Sequence, residues 1–172
     1  LTITANDKEI TYGDEPANDG VTYDGLLDSE KKEDGTPKDG ILGGTLAYSY
    51  DYTNDGNAWI STEGGPYSIT PYGLTSGNYA ITYNDGELTV NPRTLKFVWT
   101  GESFVYDGEE HSVTATVDPI CLVNGDTISV STYAENKATD VKEGGYTATV
   151  TGVYGTKGRD RNYTISSTES ST

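Results

Sequence analysis

Histidine and cysteine, the residues that most often carry acid–base or nucleophilic chemistry, occur once each among the 172 residues. His111 follows Glu109 and Glu110 inside an alternating run, and Cys121 has no His-Asp pattern beside it that would activate its thiol. We interpret His111 as a strand residue at the surface and Cys121 as a buried, inert thiol. The many carboxylates do not define a glycosidase pair by their number alone. The sequence therefore predicts no enzyme.

A partial calcium-loop motif is the candidate metal site. Asp51 and Asp55 occupy the first and fifth positions of an Asp-x-(Asp/Asn)-x-(Asp/Asn)-Gly loop, and Gly56 occupies the sixth. The loop departs from this pattern at its third position, Thr53, and at its twelfth, Thr62, where a bidentate Glu is needed. Two interpretations stay open, a Ca²⁺ site at Asp51 and Asp55 or an ordinary Asn-Asp-Gly turn, and no other cofactor is predicted.

Tyrosine is the main aromatic residue, with 14 copies against two Phe and two Trp. Leu46, Tyr48, Tyr50 and Tyr52 alternate with small or polar residues, which is the period of a β-strand. A tyrosine ring can pack on a half-buried sheet while its hydroxyl reaches water. We interpret this tyrosine stripe as the core face of a strand, with stacking on sugar rings as the alternative.

Lys96 and Asn162 suggest a covalent hypothesis, an intramolecular isopeptide bond between two strands of the second half. The simpler interpretation is that Asn162 hydrogen-bonds the backbone of the turn that precedes Tyr163.

Short alternating runs, separated by turn residues roughly every 8 to 12 positions, organise the whole chain and are typical of a β-sandwich. We predict an all-β protein with two tandem Ig-like antiparallel β-sandwich modules, and β-grasp-like modules as the alternative. A β-grasp module needs an amphipathic helix, for which the sequence offers no good candidate. The clearest predicted hairpin joins residues 78–83 to 87–90 through Asn84-Asp85-Gly86.

The weak overall hydrophobicity favours two thin cores over one large core, since 33% of the residues are hydrophobic and the mean hydropathy is -0.57. The predicted modules are residues 1–92 and 93–166, followed by a Ser/Thr-rich tail at 167–172. Because almost no residues separate the two modules, we expect a semi-rigid pair.

The formal net charge of -16 disfavours nucleic acid and direct membrane contact as partners, because it repels phosphates and anionic headgroups. Residues 1–92 carry 16 acidic residues against 4 Lys, and residues 93–172 carry 11 against 7 Lys and Arg. The sequence has no initiator Met, signal peptide or membrane-spanning run, so we expect a fragment of a longer protein.

Several motifs resemble the MBG family of bacterial cell-surface repeats, of the Tyr-Gly-x type. In the first half these are Ile3-Thr4-Ala5-Asn6-Asp7-Lys8, Tyr12-Gly13-Asp14, Tyr67-Ser68-Ile69-Thr70-Pro71, Asn78-Tyr79-Ala80-Ile81-Thr82-Tyr83 and Gly86-Glu87-Leu88-Thr89-Val90. The second half resembles a related form through Val105-Tyr106-Asp107-Gly108, Gly125-Asp126, Gly145-Tyr146-Thr147-Ala148-Thr149-Val150 and Asn162-Tyr163. The resemblance implies two tandem copies, whose structural motif residues are Tyr12, Gly13, Tyr67, Asn78, Tyr79, Tyr106, Gly108, Tyr146, Asn162 and Tyr163. Tyr67 and Tyr146 also fit a tyrosine-corner role, with the hydroxyl bonding backward to a loop backbone.

The resemblance implies an extracellular location on a bacterial cell surface and no catalytic residues. We predict a non-catalytic repeat module that acts as a semi-rigid stalk or spacer, with neighbouring repeats of the same chain as its partners. The alternatives are an adhesive module that binds a host glycan or protein, and a carbohydrate-binding accessory module of a secreted enzyme. An adhesin should expose a contiguous aromatic patch, whereas a spacer should lack one.

Overall fold

The computed structural model describes residues 1–166 and the backbone of residues 170–171. The chain divides into two compact units, Leu1–Asn91 (unit 1) and Pro92–Thr172 (unit 2), and both are built mostly of short β-strands in several small sheets. Of the predicted Ser/Thr-rich tail, residues 167–169 and 172 lie outside the described residues, and the remaining two form a short strand.

Unit 1 has two sheets. Its strands are β1 (Thr2–Ala5), β2 (Lys8–Thr11), β3 (Val21–Asp24), β4 (Gly43–Tyr50), β5 (Tyr67–Thr75), β6 (Thr82–Asn84) and β7 (Gly86–Asn91). The three-stranded sheet has the order β3-β1-β6, and the four-stranded sheet has the order β2-β7-β5-β4. A 3-10 turn spans Asp28–Glu30, and the one-turn helix α1 spans Ser61–Gly64.

The predicted hairpin around Asn84-Asp85-Gly86 is wrong, because β6 and β7 lie in different sheets. At Asp85 the chain passes from one sheet to the other, and the segment between β1 and β2 passes between the same two sheets. Both pairs run parallel, and each residue pairs with the residue 80 positions later, from Thr2↔Thr82 in the first sheet to Thr11↔Asn91 in the second.

The core of unit 1 is built from alternate residues of its strands, because every second side chain of a strand points to the same face of its sheet. β7 shows this alternation plainly, since Gly86, Leu88 and Val90 are buried while Glu87 is exposed. The buried apolar residues of the unit are Ile3, Ala5, Ile10, Tyr12, Leu26, Tyr52, Ala58, Ile60, Ile69, Leu88 and Val90.

Unit 2 consists of shorter strands. They are β8 (Arg93–Leu95), β9 (Phe97–Thr100), β10 (His111–Ser112), β11 (Thr114–Val117), β12 (Ile128–Ala134), β13 (Lys137–Ala138), β14 (Ala148–Gly155), β15 (Tyr163–Ile165) and β16 (Ser170–Ser171). The largest sheet has the order β12-β14-β16, and the strand pairs are β8–β15, β9–β11 and β10–β13. Two 3-10 segments span Pro119–Cys121 and Thr156–Asn162. The buried apolar residues are Leu95, Phe97, Ala115, Val117, Cys121, Ile128, Ala148, Val150 and Tyr163.

The strand pairing is mixed, whereas the predicted sandwich modules are wholly antiparallel. Among the described residues, three strand pairs run parallel, namely β1–β6, β2–β7 and β8–β15. Each of them joins the beginning of a unit to a strand near its end, so a long connection makes the parallel direction possible. The four-residue α1 is the only α-helix within residues 1–166, and it is too short to serve as a β-grasp helix. In this described part, no helix has the length and apolar character needed to cross a membrane.

Candidate functional site

Tyr12 and Gly13 form the turn that ends β2. The side chain of Tyr12 is fully buried, and its backbone N–H donates to the Asn91 carbonyl at 2.8 Å. Gly13 has a φ of 94°, a left-handed conformation that glycine adopts without strain. The side-chain amide of Asn54 donates to the Gly13 carbonyl at 3.0 Å. This motif therefore places a tyrosine in the core of unit 1 and not on a binding surface.

Tyr67 bonds backward along the chain. Its hydroxyl donates to the carbonyl of Trp59, eight residues earlier, at 3.0 Å, and its ring meets Tyr52 edge-on with centroids 5.0 Å apart. Burial raises the pKa of Tyr52 to about 12 and also raises the pKa of Tyr67. The two rings are thus packing groups of the unit 1 interior.

Asn78 and Tyr79 hold a turn against the loop that follows β3. Their backbone N–H groups both donate to Ser76 Oγ at 3.2 Å. The Tyr79 hydroxyl donates to the Glu30 carboxylate and accepts from the Leu27 N–H at 3.2 Å. The hydrogen bond to Glu30 raises the pKa of Tyr79. Like Tyr67, Tyr79 uses its hydroxyl within unit 1.

The tyrosine stripe of β4 lies partly in the interior. Leu46, Tyr48 and Tyr50 are half-buried, and Tyr52 is buried. The Tyr50 hydroxyl accepts from the Asn18 side-chain amide at 2.8 Å. The stripe therefore does not offer a face of open rings for sugar stacking.

The two candidate calcium ligands have different hydrogen-bond partners. Asp51 accepts from the Ser68 N–H at 2.6 Å and from the Ser68 hydroxyl at 3.0 Å, across from the end of β4, and Asp55 accepts from the Asn57 N–H at 2.7 Å. Within the described residues, no group of three or more His, Cys, Asp or Glu side chains is placed to hold a metal ion. The turn interpretation accounts for the bond of Asp55, whereas Asp51 bonds a residue of β5.

A buried ion pair occupies the interior of unit 2. Arg159 Nε donates to Asp126 Oδ1 at 2.8 Å, and their side chains are 8% and 4% exposed. The Tyr163 hydroxyl donates to Asp126 Oδ2 at 3.0 Å and accepts from the Val123 N–H at 3.1 Å. Asn162 beside it is fully buried. The 3-10 segment before Tyr163 therefore supplies the cation that compensates a buried carboxylate.

The side chains of the crosslink hypothesis have opposite environments. Lys96 is exposed in the break between β8 and β9, whereas Asn162 is fully buried. This arrangement gives an isopeptide bond no support. Cys121 is buried, and its thiol donates to the Asp118 carbonyl at 2.9 Å.

Of the remaining motif residues, Tyr106 and Tyr146 line an open groove in unit 2, and Gly108 does not. Tyr106 is 62% exposed, Gly108 is exposed with a φ of 82°, and Tyr146 is 37% exposed. For Tyr146, no hydrogen bond of the hydroxyl is found among the described residues, so the structure gives it no tyrosine-corner bond like that of Tyr67. The groove has a volume of about 300 Å³ and separates residues 101–106 from residues 135–146. We call it the unit 2 groove; its aromatic and aliphatic lining includes Phe104, Tyr106, Val113, Val141, Tyr146 and Ala148.

Two ring contacts fix the walls of the unit 2 groove. The rings of Phe104 and His111 stack with centroids 4.4 Å apart, and His111 Nε2 lies 2.9 Å from Asp107 Oδ1. The backbone N–H of Glu109 and the His111 ring lower the pKa of Asp107. Across the groove, Lys142 Nζ lies 5.1 Å from the centroid of the Tyr146 ring, a cation–π distance. His111 is thus a packing residue of one wall.

A comparison with protein-family models matches residues 1–89 to the MBG domain of the YGX type. The chain belongs to the MBG domain family. MBG domains are found in bacterial surface proteins, and the family is in general non-catalytic. The matched range lies within unit 1 and leaves out only its last two residues, and a second MBG domain in unit 2 is not shown by the match. A search of curated proteins and one of solved structures found no match.

The sequence did not indicate the unit 2 groove, because Val105-Tyr106-Asp107-Gly108 resembles Tyr12-Gly13-Asp14 of the MBG domain, whose tyrosine is buried. The buried ion pair was also missed, since Arg159 stands in a basic turn with nothing local to mark it as buried.

Proposed function

We propose that this chain is a load-bearing spacer of a bacterial surface protein. The observation that carries the proposal is the parallel pairing of residues 2–11 with residues 82–91 in unit 1. Because the two strands run in the same direction, the beginning of the unit and its end lie at opposite ends of this ladder.

Tension between the two ends of unit 1 would act along the ladder. All of its hydrogen bonds then share the load, and none can open before its neighbours. In an antiparallel terminal pair with both ends on one side, the bonds would break one at a time. Forced unfolding depends on the unfolding rate, so a shear geometry resists force even where equilibrium stability is ordinary.

The hydrogen bonding of unit 1 agrees with a structural role. The hydroxyls of Tyr67 and Tyr79 and the carboxylates of Asp51 and Asp55 all bond within the unit. These hydrogen bonds join loops and strands of unit 1. Membership of the MBG family, whose domains occur in surface proteins, supports the same proposal.

Single-molecule pulling tests the proposal on the full chain. Handles attached through Leu1→Cys and Pro92→Cys, in a Cys121→Ala background, load the ladder in shear. Handles at Leu1→Cys and Thr82→Cys load the same ladder from one end. We expect a severalfold higher unfolding force for unit 1 in the first geometry. Equal forces in both geometries would rule out a load-bearing role.

Adhesion is the second candidate function, favoured by the exposed aromatic side chains Phe104, Tyr106 and Tyr146 in unit 2. The test is binding of the chain to an array of host glycans and matrix proteins, with and without calcium. Saturable binding that is lost in Tyr106→Ala would favour adhesion over a spacer, and absence of binding across the array would leave the spacer as the better account.

A further inference from the structure

The parallel ladder between the beginning and the end of unit 1 extends across both of its sheets. It has three residue pairs in the first sheet and four in the second, from Thr2↔Thr82 to Thr11↔Asn91. The Tyr12 N–H continues it with a hydrogen bond to the Asn91 carbonyl at 2.8 Å. Tension between the two ends of unit 1 is therefore shared by hydrogen bonds along the whole entering segment.

The corresponding parallel ladder of unit 2 is shorter. Arg93–Leu95 pairs with Tyr163–Ile165, which gives three residue pairs among the described residues. After β8 the chain turns to other partners, since the Lys96 carbonyl accepts from the Asp118 N–H at 2.8 Å and β9 pairs with β11. In the described part of unit 2, the entering chain therefore does not pair again with the exiting chain, as residues 8–11 do in unit 1.

Both ladders are loaded in the same way. In each unit the entering strand runs parallel to the exiting strand, so tension between the ends of the unit shears the ladder. The force that a sheared ladder withstands grows with the number of hydrogen bonds that must break together. Because forced unfolding depends on the unfolding rate and not on equilibrium stability, the length of the ladder becomes decisive. The ladder of unit 2 has fewer than half as many residue pairs as that of unit 1.

Side chains support the exiting strand to a similar degree in the two units. In unit 2 the Tyr163 hydroxyl donates to Asp126 Oδ2 at 3.0 Å and accepts from the Val123 N–H at 3.1 Å. In unit 1 the Ser61 hydroxyl accepts from the Val90 N–H at 2.8 Å and donates to a carbonyl of the same strand at 3.4 Å. Each strand thus gains two hydrogen bonds from one hydroxyl group. This support does not offset the difference in ladder length.

We propose that the chain yields to tension in two steps, with unit 2 opening at a lower force than unit 1. The units follow each other along the chain, so the same tension acts on both. Opening of unit 2 relieves that tension while unit 1 stays folded. The inference rests on the load-bearing function proposed above and adds which unit opens first and which structural feature decides it.

Single-molecule pulling of the full chain through both units tests the order of opening. Handles are attached through Leu1→Cys and Ser166→Cys in a Cys121→Ala background. We expect two unfolding events, the first at roughly half the force of the second or less at the same pulling speed.

An insertion in either unit identifies which event belongs to it. About twenty Gly and Ser residues inserted after Gly77, where nothing lies within 4 Å of an added Cβ, lengthen the unit 1 step alone by about 70 Å. The same insertion after Gly144, which is equally open, is the matched control in unit 2. The second step should lengthen with the Gly77 insertion and the first step with the Gly144 insertion. The reverse assignment would overturn the proposal.

Pulling each unit by itself tests whether ladder length decides the order. Handles at Pro92→Cys and Ser166→Cys load the unit 2 ladder in shear, and handles at Pro92→Cys and Arg161→Cys load it from one end. We expect the ratio of these two forces to be smaller than the corresponding ratio in unit 1, because fewer bonds share the load. A shear force for unit 2 equal to or above that of unit 1, or an equal ratio in both units, would overturn the proposal. Failure of the spacer proposal is distinguishable, since it appears as equal forces for unit 1 in its own two loading geometries.

Discussion

Asp7 Oδ1 accepts a hydrogen bond from the Glu87 backbone N–H at 2.7 Å, and this bond joins two parallel strands where both pass from one sheet to the other. The offset of 80 residues is the same on each side of this point. The two strands therefore change sheets together and remain paired. Close approach makes this possible, since a Cβ added at Gly86 would lie 2.6 Å from the Ala5 carbonyl oxygen.

Replacement of Gly86 by alanine should destabilise unit 1 by about 1–3 kcal/mol, because backbone atoms must move to admit the methyl group. Gly77→Ala is the matched control, since nothing lies within 4 Å of a Cβ at that position. It should change stability by less than about 0.5 kcal/mol. Urea unfolding of both variants measures the difference. Equal midpoints for the two variants would mean that the crossing point is not close-packed.

The tyrosines of the Tyr-Gly and Tyr-Asp-Gly motifs should differ in their effect on stability. Tyr12→Ala removes a fully buried ring and should cost about 3–5 kcal/mol, as large-to-small changes in a core do. Tyr106→Ala removes a ring that is 62% exposed and should change stability by about 0.5 kcal/mol or less. Thermal and urea unfolding compare the variants. A large loss for Tyr106→Ala would place this ring in a core and contradict the open groove.

The buried ion pair of unit 2 should be sensitive to loss of either member. Arg159→Ala leaves the Asp126 carboxylate buried without its cation and should cost about 3–5 kcal/mol. Lys137→Ala is the control, because its ion pair with Glu110 is exposed on both sides and screened by water, so its loss should change stability far less. Unfolding of unit 2 followed by Trp99 fluorescence gives both values. If Arg159→Ala lowers the free energy of unfolding no more than the control does, water must compensate the charge of the Asp126 carboxylate.

Stability of unit 1 should fall as pH rises from about 10 to about 12, through the burial of Tyr52. The unfolded chain releases the phenol proton near its ordinary pKa of 10.0, whereas the folded protein holds it to about 12. The unfolded state therefore binds fewer protons in this window, and the free energy of unfolding decreases with pH. Tyr52→Phe keeps the ring and should flatten this decrease. The same pH slope in both proteins would assign the effect to other groups.

The β class and the short strands of the chain were accessible from sequence, because alternation of apolar and polar residues is a short-range signal. The sheet crossing at Asp85-Gly86 was not. Asn-Asp-Gly normally signals a hairpin because its glycine adopts a positive φ. Gly86 does not have that conformation and serves instead to let the backbone approach Ala5. The two roles of glycine are indistinguishable in a sequence pattern.

Which side chains of unit 2 are buried was equally hard to predict, because burial depends on residues that are far away in the sequence. Tyr12 and Tyr106 stand in similar local sequences, yet the first is covered by a strand some 80 residues later and the second is not. Arg159 is buried through an acid 33 residues before it. Local periodicity contains no information about either partner.

The parallel terminal strands of unit 1 also determine how much the chain lengthens when the unit unfolds under tension. The ladder of residues 2–11 measures about 33 Å at the usual rise of a strand. The 91 residues of the unit, once pulled straight, would measure about 300 Å. Unfolding one such unit would therefore lengthen a tethered protein by about 270 Å, roughly eight times the distance that its folded ladder spans, so the protein could extend under load without a covalent bond breaking.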